Sequence, residues 1–155
     1  MKLGVISDLH IDVNFKRRKV DVLEVLISIL RDKKLDALCL CGDISNSYIL
    51  TLQAISRIER ETGTPCYFVA GNHDLWNVNK EEKDTWEIYE KLKEHPRNLA
   101  NGPEALGSDW VLIGDTGWYD FSFGRHDLYS ENEFKQMKLK GSTWQDKEYT
   151  TWCDQ

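Results

Sequence analysis

Three short apolar runs constrain this chain most: KLGVIS at 2–7, LDALCLCG at 35–42 and CYFVAG at 66–71. Each is too short for a buried helix, and its apolar content suits a strand covered on both faces. The stretches between them carry a different period. Val20, Leu23, Leu26, Ile27 and Leu30 fall at three- and four-residue steps, which predicts a helix with a wide apolar face. Leu52, Ile55 and Ile58 mark a second helix that Ser45 can cap; Gly63 ends it and Pro65 prevents its return. Asn79 with Glu82 resembles a capping box for a third helix through Trp86, Tyr89 and Leu92, stopped by Pro96. A fourth strand begins in DWVLIGDTGWYD at 109–120, and the aromatic-rich remainder predicts loop and short helix. Strands alternating with helices imply an α/β fold with a mainly parallel sheet. Such sheets bind ligands beyond the carboxyl ends of their strands.

The 155 residues, 41% hydrophobic and 30% charged, are expected to form one domain spanning 1–155. A net charge of −6 argues against a generic grip on nucleic acid. No apolar run approaches the roughly 20 residues of a membrane span, and the first residues lack the pattern of a signal peptide. Cys39, Cys41 and Cys66 lie in apolar runs and, with Cys153, suit buried thiols of a cytoplasmic protein better than a disulfide framework. Cys39 and Cys41 share one strand face, where packing is a simpler reading than a soft-metal site.

The three runs end in SDLH, CGDIS and AGNHD, so Asp8, His10, Asp43, Asn72, His73 and Asp74 are expected at one sheet edge. If strand geometry persists, Asp8 and His10 leave on the same side and form half of a transition-metal site. Asp43 adds a carboxylate able to bridge two cations, and Asn72 adds an amide oxygen. Gly42 and Gly71 let the backbone turn sharply before them. His73 suits a general acid for a leaving group, and Asp74 suits the group that orients its ring and favours its protonated form. The chemistry that follows is hydrolysis of a phosphoester by a water activated between two metal ions. Asp12 is read as a loop acid without a special role.

DLH after an N-terminal strand, then GD, then GNHD resembles the calcineurin-like metallophosphoesterases. The resemblance covers roughly the first half of the chain. It implies a β-sandwich flanked by helices and two metal ions of the Mn, Fe or Zn type. Asp8 and His10 would hold the first metal, Asp43 would bridge, Asn72 would hold the second, and His73 would be the catalytic imidazole. The implied partner is a phosphoester substrate, with no choice among monoester, diester, cyclic nucleotide and protein phosphate.

The family pattern continues with a lone His and a GHxH, and this chain has no GHxH. After His73 only His95 and His126 occur. His95 reads as a surface residue at a helix end, and His126 as part of an aromatic loop. The expectation is therefore an incomplete sandwich, one mainly parallel sheet with part of the second, truncated at its C-terminus and possessing too few ligands to hold two cations well. Such a chain alone would be weakly active or inactive. Trp118, Tyr119, Phe121, Phe123, Trp144 and Trp152 are candidates for an apolar surface that associates with a partner or with a missing C-terminal half. Two other functions fit less well. An inactive phosphoesterase-like scaffold has no chemical need for the intact cluster, and a nucleotide-binding domain would carry a glycine-rich loop where SDLHID stands.

Overall fold

The computed structural model describes residues 1–152; Cys153 lies outside them. Strands β1 (Leu3–Ile6), β2 (Ala37–Cys41) and β3 (Cys66–Val69) form a parallel sheet in that order. Leu3 pairs with Ala37, and Cys39 pairs with both Val5 and Tyr67. Helix α1 spans Ile11–Arg18, α2 spans Val22–Lys33, α3 spans Tyr48–Thr62 and α4 spans Thr85–Lys93. Ile27 and Leu30 of α2, Ile55 and Ile58 of α3 and Leu40 and Phe68 of the sheet close one core, each almost without exposure. Burying a side chain of this size contributes roughly 1.5–3 kcal/mol, so this layer fixes the sheet edge from which the polar residues emerge.

Several local expectations change. Helix α1 begins directly after His10, although IDVNFKRR has no apolar stripe; it buries Ile11 alone. Ser45 does not cap α3. Ser47 occupies that position, while the Ser45 hydroxyl bonds the Ser47 carbonyl and the Thr51 hydroxyl. Asp84 caps α4 by accepting from Glu87 N at 3.0 Å, displacing the expected Asn79–Glu82 box. Glu82 instead accepts from the Tyr48 hydroxyl and Lys91.

The fourth strand does not extend the parallel sheet. Strand β5 (Trp110–Leu112) pairs antiparallel with β4 (Glu104–Leu106) in a hairpin. Short elements follow: α5 (Glu131–Gln136), β6 (Lys138–Leu139), β7 (Ser142–Thr143) and α6 (Gln145–Tyr149). This segment folds back on the rest. Asn77 N donates to Tyr149 O at 2.7 Å, Thr85 N to Thr151 O at 3.0 Å, and Trp152 packs against Trp86 and Trp118. Of the aromatics expected at an apolar surface, Tyr119, Phe123 and Trp144 are exposed, while Trp118, Phe121 and Trp152 are half-buried. No helix among the described residues is long and apolar enough to cross a membrane.

Candidate metal centre

The strands stop before the polar residues begin. Strand β1 ends at Ile6, and Asp8 and His10 both adopt left-handed backbone, φ 57° and 40°. Their shared direction therefore comes from a turn and not from strand alternation. Asp8 N and His10 N donate to the carbonyls of Gly42 and Asp43, which ties the first turn to the second. Asp43 is left-handed as well, at φ 54°. Gly42 has φ +83°, and a Cβ there would come within 2.8 Å of the Gly71 Cα. A Cβ on Gly71 would collide with the Asp43 carboxylate. The two glycines allow the β2 and β3 turns to touch backbone to backbone.

One ligand atom each from His10, Asp43 and His73 lies within 4.8 Å of the others. His10 Nε2 sits 3.8 Å from Asp8 Oδ1 and 3.9 Å from Asp43 Oδ2. The two imidazoles meet edge to face, their centroids 4.5 Å apart. His10 Nδ1 is buried without a hydrogen-bond partner among the described residues. Asp8, Asp43 and Asn72 line a cleft of about 630 Å³ with Asp115 and Asp146, and among the described residues no Lys, Arg or His lines it. Asn72 donates its amide to Asp146 Oδ1 at 2.7 Å, which leaves its carbonyl oxygen for a cation. Two imidazoles, facing carboxylates and an amide oxygen make a donor set that fits divalent transition metals.

His73 is held on two sides. Its Nδ1 lies 2.8 Å from Asn46 Oδ1, and its ring lies tilted by 32° against Trp76 with centroids 3.7 Å apart. Its backbone N–H donates to Asp43 Oδ1 at 3.1 Å. Burial pushes its pKa below the ordinary histidine value, against the nearby charge of Asp43.

Asp74 does not orient this ring. Its Oδ1 accepts from Ile44 N, Ser45 N and the Thr51 hydroxyl, and its Oδ2 accepts from Gly71 N at 2.9 Å. The carboxylate is buried and staples the β2 turn to the β3 turn; burial raises its pKa to about 6, against those hydrogen bonds. Asn46 has the place expected for Asp74 beside His73. Asn46 was not readable as a partner because a polar residue three positions after Asp43 satisfies ordinary turn chemistry equally well.

Asp146 is the other residue that sequence pattern did not reveal, since its segment has no period. It is 2% exposed, and its carboxylate accepts from Asn72, Trp76, Trp144 and Tyr119. Asp12 is not a loop acid: it occupies the first turn of α1, with a buried carboxylate oxygen lacking a partner among the described residues. His126 is exposed and bonds the Phe121 carbonyl. His95 is half-buried against Phe68, with centroids 5.4 Å apart. Neither belongs to the cluster. Cys39 and Cys41 place their sulfurs 3.9 Å apart, and burial pushes the Cys39 thiol up to about 11, which disfavours the thiolate a soft metal needs.

The calcineurin-like phosphoesterase family model matches residues 1–154. The chain belongs to that family, whose members hydrolyse phosphoesters with bound metal ions. No curated protein matches the sequence.

Proposed function

We propose that this chain carries the metal-binding site of a phosphoester hydrolase, with Asp8, His10, Asp43 and Asn72 as ligands and His73 as the group that assists departure of the leaving oxygen. The convergence of His10, Asp43 and His73 within 4.8 Å carries the reading. When bound, two divalent cations would supply an acidified water and neutralise charge developing on the phosphate. The protein's own groups do the rest. Asp43 is fixed by the His73 N–H, so its free oxygen keeps its aim. Asn46 holds His73 Nδ1 and leaves Nε2 for the substrate. As water oxygen bonds to phosphorus and the leaving P–O bond breaks, the imidazolium form of His73, which the Asp43 charge favours against the larger cost of burial, would give its Nε2 proton to the departing oxygen. An inert scaffold would have no use for two imidazoles and a carboxylate brought so close beside a cleft lined by acids.

The test is calorimetric titration of metal-free protein with Mn²⁺, followed by hydrolysis of p-nitrophenyl phosphate. Wild type should bind Mn²⁺ and release nitrophenol slowly, as its short ligand set allows. Asp43→Ala should weaken binding by about 100-fold or more, beyond the range found for groups that only support a ligand. His73→Asn should keep Mn²⁺ and lose about 10²–10⁴ in kcat. Metal binding without hydrolysis would favour the scaffold, and absence of both would end the reading.

A further inference from the structure

Two cavities of opposite charge meet at the His10–Asp43–His73 cluster. The first is the acidic cleft, lined among the described residues by four carboxylates and no basic side chain. The second is a groove of about 1050 Å³ lined by His10 and His73 together with Lys16, Arg17 and Arg18. Asp12 is the one carboxylate on that lining among the described residues. Trp76 and Tyr149, their rings 5.1 Å apart, give the groove an aromatic wall.

The three cations come from the last turn of α1, where basic residues complement the helix dipole. That role accounts for a cation there but not for the absence of partners. Among the described residues Arg31, Arg57, Arg60, Arg97 and Arg125 each hold a carboxylate within 4.0 Å. Arg17, Arg18 and Lys16 hold none among the described residues. In a chain of net charge −6, these exposed and unpaired cations make the groove basic beside a candidate leaving-group imidazole, and arginine suits phosphate.

We propose that the groove binds the leaving group of the substrate, and that this leaving group carries a second phosphate across an apolar or aromatic spacer. The scissile phosphate would sit at the His10–Asp43–His73 cluster, the spacer along Trp76 and Tyr149, and the second phosphate among Lys16, Arg17 and Arg18. This rests on the hydrolytic reading above.

The experiment compares hexyl phosphate with hexane-1,6-diol bisphosphate, which differ only in the second phosphate. Phosphate release with Mn²⁺ and calorimetric binding of each ester are measured. At low ionic strength the bisphosphate should have a kcat/KM about tenfold higher, as partly exposed charge contacts allow. The advantage should shrink in about 0.5 M NaCl. In K16E/R17E/R18E the preference should vanish or reverse. Mn²⁺ binding reports whether that variant keeps its fold, and Arg17→Gln with Arg18→Gln replaces it otherwise. A kcat/KM ratio in wild type no larger than the roughly twofold that two equivalent esters give, or a preference unchanged in the variants, would overturn the groove assignment while leaving hydrolysis intact. If neither ester turns over, the hydrolytic reading fails. The groove then stands only if the bisphosphate still binds about tenfold more tightly, and equal affinities would overturn it.

Discussion

Asp74 illustrates how far a residue's neighbours in sequence differ from its neighbours in space. Adjacency to His73 suggests a carboxylate–imidazole pair, yet Asp74 collects four donors from the β2 and β3 turns and from α3. The positions legible from sequence were those whose type alone restricts their chemistry: Asp8, His10, Asp43 and the Gly–Asn–His run. The roles of Asn46 and Asp74 depend on turn geometry, which residue type does not encode. Asp74→Asn should keep the three contacts made by Oδ1 and place an amide N–H₂ against Gly71 N–H. Two buried donors then face each other. We expect a loss of about 2 kcal/mol in urea unfolding, within the range for an unsatisfied buried donor. A variant as stable as wild type would show that the turns are held together without this carboxylate.

At the scale of elements, periodicity carried the reading. Helix α2 buries Leu23, Leu26, Ile27 and Leu30, the positions its stripe marks, although Val20 lies before the helix and is exposed. Helix α1 was invisible because it buries a single residue, and β4 because three residues cannot establish a period. The end of α4 shows a subtler shift. His95 looks like a solvated residue before proline, yet it accepts from Arg97 N and packs on Phe68 of β3. Burial lowers its pKa; Glu59 opposes this, and Arg97 adds to the lowering. The unfolded chain therefore takes up a proton near pH 6.5 that the folded chain resists. The stability due to His95 is full above that pH and declines as pH falls towards the folded value. Urea midpoints measured at pH 7.5 and 5.5 should fall more for wild type than for His95→Gln. Equal falls would remove His95 as a source of acid sensitivity.

Across the whole molecule, one carboxylate joins the aperiodic C-terminal segment to the candidate site loops. Asp146 of α6 takes Asn72 and Trp76 on one oxygen, and Trp144 and Tyr119 on the other. With all four donors in place the carboxylate has no lone pair free for a cation, so its part is to position Asn72. Parallel contacts are fewer: Tyr149 O accepts from Asn77 N, and Thr151 exchanges two hydrogen bonds with Thr85. Asp146→Ala would strand four donors, two of them on half-buried or buried side chains of the site itself, Asn72 and Trp76. A loss of about 3 kcal/mol is reasonable for breaking such a buried charged network. If that loss opens the segment alone, its open population rises roughly 100-fold. Proteolysis of a transiently open segment follows that population when reclosing outpaces cleavage. Limited trypsin digestion read by mass spectrometry should then show cleavage at Arg125, Lys135, Lys138, Lys140 and Lys147 accelerated by a comparable factor, while sites in α2 and α3 remain slow. Acceleration at all sites together would mean that the segment and the parallel sheet unfold as one unit. Unchanged cleavage would mean that the Tyr149 and Thr151 contacts suffice to hold the segment over the cleft.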